Sequence, residues 1–153
     1  MATTKPPAAP AGCVLAFDFG TRRIGVAVGD TSVALAHPLA TIAAEKNDQR
    51  FAAIRGLINE WKPALLIVGL PVHADGTEHD MTSRARRFAR QLEGRFGLPV
   101  VLVDERFTTH TASTALAEAR LRKHEHKAVR DQIAAHLTLQ AYLDQRAAAT
   151  RAT

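Results

Sequence analysis

The sequence predicts an α/β fold: a mixed five-stranded sheet, three antiparallel strands followed by two parallel ones, flanked by helices. Three observations lead there. Two apolar runs, Val14–Asp18 and Ile24–Gly29, flank a short polar turn, as the arms of a hairpin do. Two later runs, Leu65–Leu70 and Val100–Val103, are apolar without alternation, as strands covered on both faces are. Between and after these runs the apolar residues recur at helical spacing.

Each element follows from its local chemistry. After the hairpin, Gly29-Asp30-Thr31-Ser32 turns the chain into a third strand, expected over Val33–His37 and ended by Pro38. Phe51, Ile54, Leu57, Ile58 and Trp61 mark a first helix from Asp48, stopped by Pro63, with Trp61 expected as a core anchor. Pro71 ends the Leu65–Leu70 strand, and Asp75-Gly76 marks a turn. Met81, Ala85, Phe88, Leu92 and Phe96 form the stripe of a second helix, closed by Gly97. Beyond Val103, Thr108 or Thr109 is placed to cap a third helix reaching about Arg120. A last helix, from about Val129 to Arg146, is apolar on more than one face and should press closely on the sheet.

Composition limits the classes. The chain has 153 residues, 46% hydrophobic and 23% charged, which suits one globular domain with a full core. Residues 1–12 read as a disordered lead-in, 13–146 as the domain and 147–153 as a flexible tail. No run is long enough to span a membrane, and no signal-peptide core precedes the first strand. The single cysteine, Cys13, fits a reducing, cytoplasmic setting, where it serves as a small apolar residue. The net charge of +5 favours an anionic partner, nucleic acid first. The basic residues crowd two stretches: Arg84, Arg86, Arg87, Arg90 and Arg95, then Arg120, Arg122, Lys123, Lys127 and Arg130.

Three acids stand at element ends: Asp18 closes the first strand, Glu105 follows the last, and Asp131 lies in the first turn of the last helix. In open α/β sheets ligands gather beyond the carboxyl ends of the strands. Singly, each acid reads as a turn residue, a surface partner of Arg106, or an acid at a helix start. Together at one edge they would repel one another unless a divalent cation neutralised them, and oxygen-only ligands suit Mg²⁺ or Mn²⁺. His124-Glu125-His126 reads as a solvated basic loop and not a zinc site. No hydrolase Ser/His/Asp signature and no GxxxxGK[ST] loop occurs.

These motifs resemble the YqgF family, also called RuvX, of Holliday-junction-resolvase-like nucleases linked to maturation of pre-16S ribosomal RNA. The matching stretches are Leu15–Ala27, Ile67-Val68-Gly69-Leu70-Pro71 with Asp75-Gly76-Thr77-Glu78, Asp104–Thr109, and Asp131 with Ala134-Ala135 and Leu139–Leu143. The chain departs from the family in having no glycine between Gly97 and Asp131, and in carrying His136 and Thr138 where aliphatic residues are usual. The resemblance implies an RNase H-like fold and an endonuclease that hydrolyses phosphodiesters with Mg²⁺ or Mn²⁺, held by catalytic Asp18, Glu105 and Asp131. It implies phosphate contacts from Thr21, Arg22 and Arg106. The implied partners are structured RNA such as pre-16S rRNA, ribosomal precursor particles, or branched DNA, met by a monomer or weak homodimer. Arg84, Arg86, Arg90, Arg122, Lys123 and Lys127 are placed to track the nucleic-acid backbone. The 5% aromatic content argues against a stacking platform for single strands.

Two other readings share these residues. Asp18-Phe19-Gly20-Thr21 is similar to the first phosphate loop of actin-type ATPases and sugar kinases, but such enzymes close two lobes on the nucleotide and this chain has length for one. A non-catalytic nucleic-acid-binding factor of the same fold would also retain the acids.

Overall fold

The computed structural model describes residues 10–107 and 127–152. Strands β1 (Cys13–Phe19), β2 (Ile24–Asp30) and β3 (Leu35–Ile42) form an antiparallel meander. Helix α1 (Asn47–Trp61) leads to β4 (Leu65–Leu70), which lies parallel to β1. Helix α2 (Asp80–Phe96) leads to β5 (Val100–Asp104), parallel to β4. A short 3-10 turn (Glu105–Phe107) follows, and helix α3 (Lys127–Ala152) closes the described chain. The sheet order is β3-β2-β1-β4-β5. The expected pairing pattern therefore holds, and so does an RNase H-like sheet. The expected helix from Thr108 or Thr109 to Arg120, with Arg122 and Lys123, lies outside the described residues.

Strand alternation divides the core in two. Leu15 and Phe17 of β1 face α1 and α2, where they pack with Phe51, Ile54, Phe88 and Leu92. Val14 and Ala16 face the other way, onto Ala135, Leu139 and Leu143 of α3. Those three recur every four residues, so one stripe of α3 lies on the sheet. β4 is buried along its whole length, as its unbroken apolar sequence requires. Arg50 of α1 is buried as well. Its guanidinium donates to the carbonyls of Ala44 (2.5 Å) and Gly20 (2.6 Å), which fastens α1 to the β1–β2 turn.

Three local expectations are corrected. The third strand starts at Leu35 and runs through Pro38 to Ile42. Pro38 is tolerated because β3 is an edge strand and its pairing register shifts there. Trp61 is not a core anchor. It is 37% exposed, because Phe51 and Ile54 fill the core and the last turn of α1 overhangs it. The last helix continues past Arg146 to Ala152, since Ala147–Ala149 favour helix more than any other residue type. Among the described residues no helix is long and apolar enough to cross a membrane.

Candidate active site at the carboxyl edge of the sheet

Asp18 alternates with Val14 and Ala16, so its side chain points toward α3 at the carboxyl end of β1. Two glycines then build the site around it. Glu105 follows β5, and β4 stands between β5 and β1. Gly69 of β4 removes the obstacle. A Cβ there would stand 2.7 Å from Glu105 Oε1, so only a bare backbone lets Glu105 cross β4 toward Asp18. Gly25 of β2 pairs with Asp18 across the hairpin. A Cβ at Gly25 would stand 1.9 Å from the Asp131 carbonyl oxygen. The first turns of α3 therefore lie directly on β2, and Asp131 is carried to the same edge.

The electrostatics match this crowding. The Asp18 carboxyl is pushed up from its ordinary 3.8 to about 8. Burial is the largest cause, followed by the charge of Glu105, a hydrogen bond shared with Glu105, and the charge of Asp131. Asp18 and Glu105 thus form a hydrogen-bonded carboxyl pair in which the Asp18 proton is retained to higher pH. Asp131 is balanced differently, by Arg23, whose Nε donates to Oδ2 at 2.9 Å. Thr138, also buried, places its hydroxyl over Gly69 beside Glu105.

Among the described residues no three His, Cys, Asp or Glu side chains converge tightly enough to hold a metal ion. Two of the acids are joined, and the third sits beside them on its own arginine. The donor set still suits a hard divalent cation, being all oxygen, and the strain on Asp18 is the kind that such a cation relieves.

The predicted phosphate contacts fall into three groups. Thr21 and Arg22 lie exposed in the β1–β2 turn, where Arg22 is 3.9 Å from Glu45. Arg106 is braced by Asp104 through a 2.7 Å ion pair and also reaches the Ala74 carbonyl at 3.4 Å. Arg84, Arg86 and Arg90 lie on α2, across the sheet from the Asp18 carboxyl. There Arg84 pairs with Asp80 and Arg86 with Glu78, while Arg90 is exposed. Lys127 opens α3, and its side chain lies outside the described residues.

Arg23, Gly25, Gly69 and Thr138 were not anticipated as site residues. A glycine inside a strand is a signal for close approach, and both glycines carry it. Arg23 gives no such signal, because its partner lies 108 residues away.

A mixed five-stranded sheet with acids gathered at the carboxyl edge of its parallel strands defines the RNase H-like class. Thermus thermophilus RuvC, solved in complex with a Holliday junction substrate, has this fold. It superposes with a TM-score of 0.58 at 12% identity, over 90% of this chain and 96% of that one. The chain belongs to the RuvX family: residues 12–145 match the family described as "RuvX: Holliday junction resolvase". Relatives named "Putative pre-16S rRNA nuclease" are 56% identical in Nitrosospira multiformis, over 92% of this chain and 93% of the relative. In Methylobacillus flagellatus the figure is 54%, over 92% and 96%.

Proposed function

We propose that this protein is a divalent-metal-dependent endonuclease that hydrolyses phosphodiester bonds of structured nucleic acid, and that its reaction is 5′-end processing of the 16S rRNA precursor. The family and the names of its relatives make the chain a hydrolase of nucleic-acid ester bonds. The observation that carries the finer reading is the buried Asp18–Glu105 pair with Asp131 alongside, at the edge where such folds bind ligands.

Asp18, Glu105 and Asp131 are the residues that would hold the cation. A bound Mg²⁺ or Mn²⁺ supplies charge neutralisation at the scissile phosphate and an activated water. The chain's own residues set the conditions for it. Asp18, hydrogen-bonded to Glu105, carries a proton that must leave before it can act as an anion. Arg23 holds the Asp131 carboxylate in place through a 2.9 Å ion pair. Thr21 and Arg22 stand in the exposed turn beside Asp18, open to flanking phosphates. Arg106, fixed by Asp104, supports the neighbouring loop and keeps its charge at the same edge.

Cleavage of a 16S precursor fragment by purified protein tests this reading. Activity is expected with Mg²⁺ or Mn²⁺ and none in EDTA, and metal-independent cleavage would refute it. A four-way DNA junction belongs in the same assay, because the family description and the RuvC neighbour both point to junctions. Faster cleavage of the junction would assign the protein to recombination.

A further inference from the structure

A second feature lies at the same sheet edge but on its opposite face. Phe19 follows Asp18 in β1, so its ring points away from α3 into the space between α1 and α2. A groove of about 510 Å³ opens there, between the N-terminal halves of the two helices. That volume is in the ~300–1,000 Å³ range of small-ligand sites. Half-buried Phe19 gives the groove an aromatic wall, backed by the buried ring of Phe88 with centroids 5.1 Å apart. Arg87 and Arg84, the latter paired with Asp80 at 2.9 Å, stand at its exposed side, and Gln91 and Asn47 add neutral donors and acceptors.

We infer that this groove receives one unpaired nucleotide of the substrate, next to the bond that is cleaved. The inference rests on reading the Asp18 face as a phosphodiesterase site. A strand crossing the carboxyl edge from the Asp18 face meets Phe19 on the other, with only the Gly20–Arg23 turn between. The turn is held for that crossing by buried Arg50, which donates to Gly20 and lies 5.4 Å from the Phe19 ring centroid. An aromatic face takes any base by stacking, arginines take the phosphate, and amide side chains take a base edge. A paired base must be unstacked to enter, whereas a bulged one already is. The groove therefore selects substrates with an unpaired nucleotide beside the cleavage point. Low aromatic content does not weigh against this, because a single partly exposed ring, Phe19, supplies the face, with Phe51 and Phe88 buried beneath it.

The test is equilibrium binding in EDTA, so that cleavage plays no part. Two RNA hairpins are compared, one fully paired and one with a single bulged 4-thiouridine, with DNA versions of each carrying 4-thiothymidine. The bulged form is expected to bind about tenfold tighter, the order that one stacked base supplies. In an Arg87→Glu, Gln91→Ala double variant that preference should fall to about twofold or less. Thermal melting of the variant should match wild type. Irradiation should crosslink the thiobase to a peptide containing Phe19 or Phe88. Equal binding of paired and bulged forms by wild-type protein would overturn the inference. So would an undiminished preference in the folded variant, or crosslinking confined to peptides outside the groove. Metal-dependent cleavage of both forms with no binding preference would sink the groove and leave the nuclease reading intact.

Discussion

At the scale of single residues, Asp18 is the most strongly perturbed carboxyl among the described residues. Its carboxyl is raised to about 8 by burial and by Glu105, so the folded protein holds a proton that the unfolded chain releases near pH 4. The stabilising contribution of that proton is complete below about pH 4 and is lost as the pH rises through about 8. Denaturant melts in EDTA should therefore show wild type losing stability between pH 5 and pH 9, by a few kcal/mol. Asp18→Asn should lose much less over the same range, and parallel pH profiles for the two proteins would contradict the assignment. On the proposed metal-dependent reading, the same proton would compete with the cation. Mn²⁺ affinity, followed by calorimetry, should rise from pH 6 to pH 8 with proton release on binding. A pH-independent affinity would mean that the metal does not engage Asp18. Arg50 makes a different residue-scale prediction. It is buried and its guanidinium serves two carbonyls, so Arg50→Met should leave both without that donor and cost about 2–3 kcal/mol in chemical unfolding.

At the scale of elements, two strand glycines set how α3 and β5 reach β1. They should behave oppositely when changed. At Gly25 a methyl group meets the backbone of Asp131, which cannot move without shifting α3. Gly25→Ala should destabilise by about 3 kcal/mol or more and lower expression of folded protein. At Gly69 the methyl meets the far end of the Glu105 side chain, which can swing aside. Gly69→Ala should change stability by about 1 kcal/mol or less, yet cut cleavage by roughly a hundredfold because the carboxylate is displaced. Equal losses of stability in the two variants would mean that Gly69 is a packing residue only.

Most elements were legible in the sequence because their signals are local. Apolar runs marked β1, β2, β4 and β5, and Gly97 closed α2 with its positive φ of 65°. The errors arose where tertiary context overrides local rules. Pro38 reads as a stop, but at a sheet edge its missing N–H leaves no ladder bond unmade. Trp61 keeps the helical spacing of the apolar stripe, but spacing carries no information on where the sheet beneath ends. The approach of Glu105 to Asp18 agrees with their positions at element ends, whereas the glycine that permits it gave no sign of which residue approaches. The pairing of Arg23 with Asp131 depends on α3 folding back over β2, which no local pattern encodes.

At the scale of the whole molecule, the sheet separates two features. Its α3 face carries the carboxyls, and its α1–α2 face carries a basic, aromatic groove. The net charge of +5 supplies long-range attraction for a polyanion. Two of the five arginines on α2 are nonetheless paired, Arg84 with Asp80 and Arg86 with Glu78. Exposed pairs of this kind are weak and screened by salt, so they open readily for phosphate. Binding of a paired RNA should accordingly weaken steeply with salt, and Arg90→Glu should make the slope of log affinity against log salt shallower by about 1 to 2. An unchanged slope would remove α2 from the binding surface.

The central claim is that the acidic edge around Asp18 performs metal-dependent hydrolysis. Its most direct test is cleavage of a 16S precursor fragment by wild type and Asp18→Asn, purified identically, with Mn²⁺ and with EDTA. Wild type should cleave only with the metal, and Asp18→Asn should be slower by roughly a thousandfold or more while still binding the RNA. Equal cleavage by the two proteins, or wild-type cleavage that persists in EDTA, would contradict it.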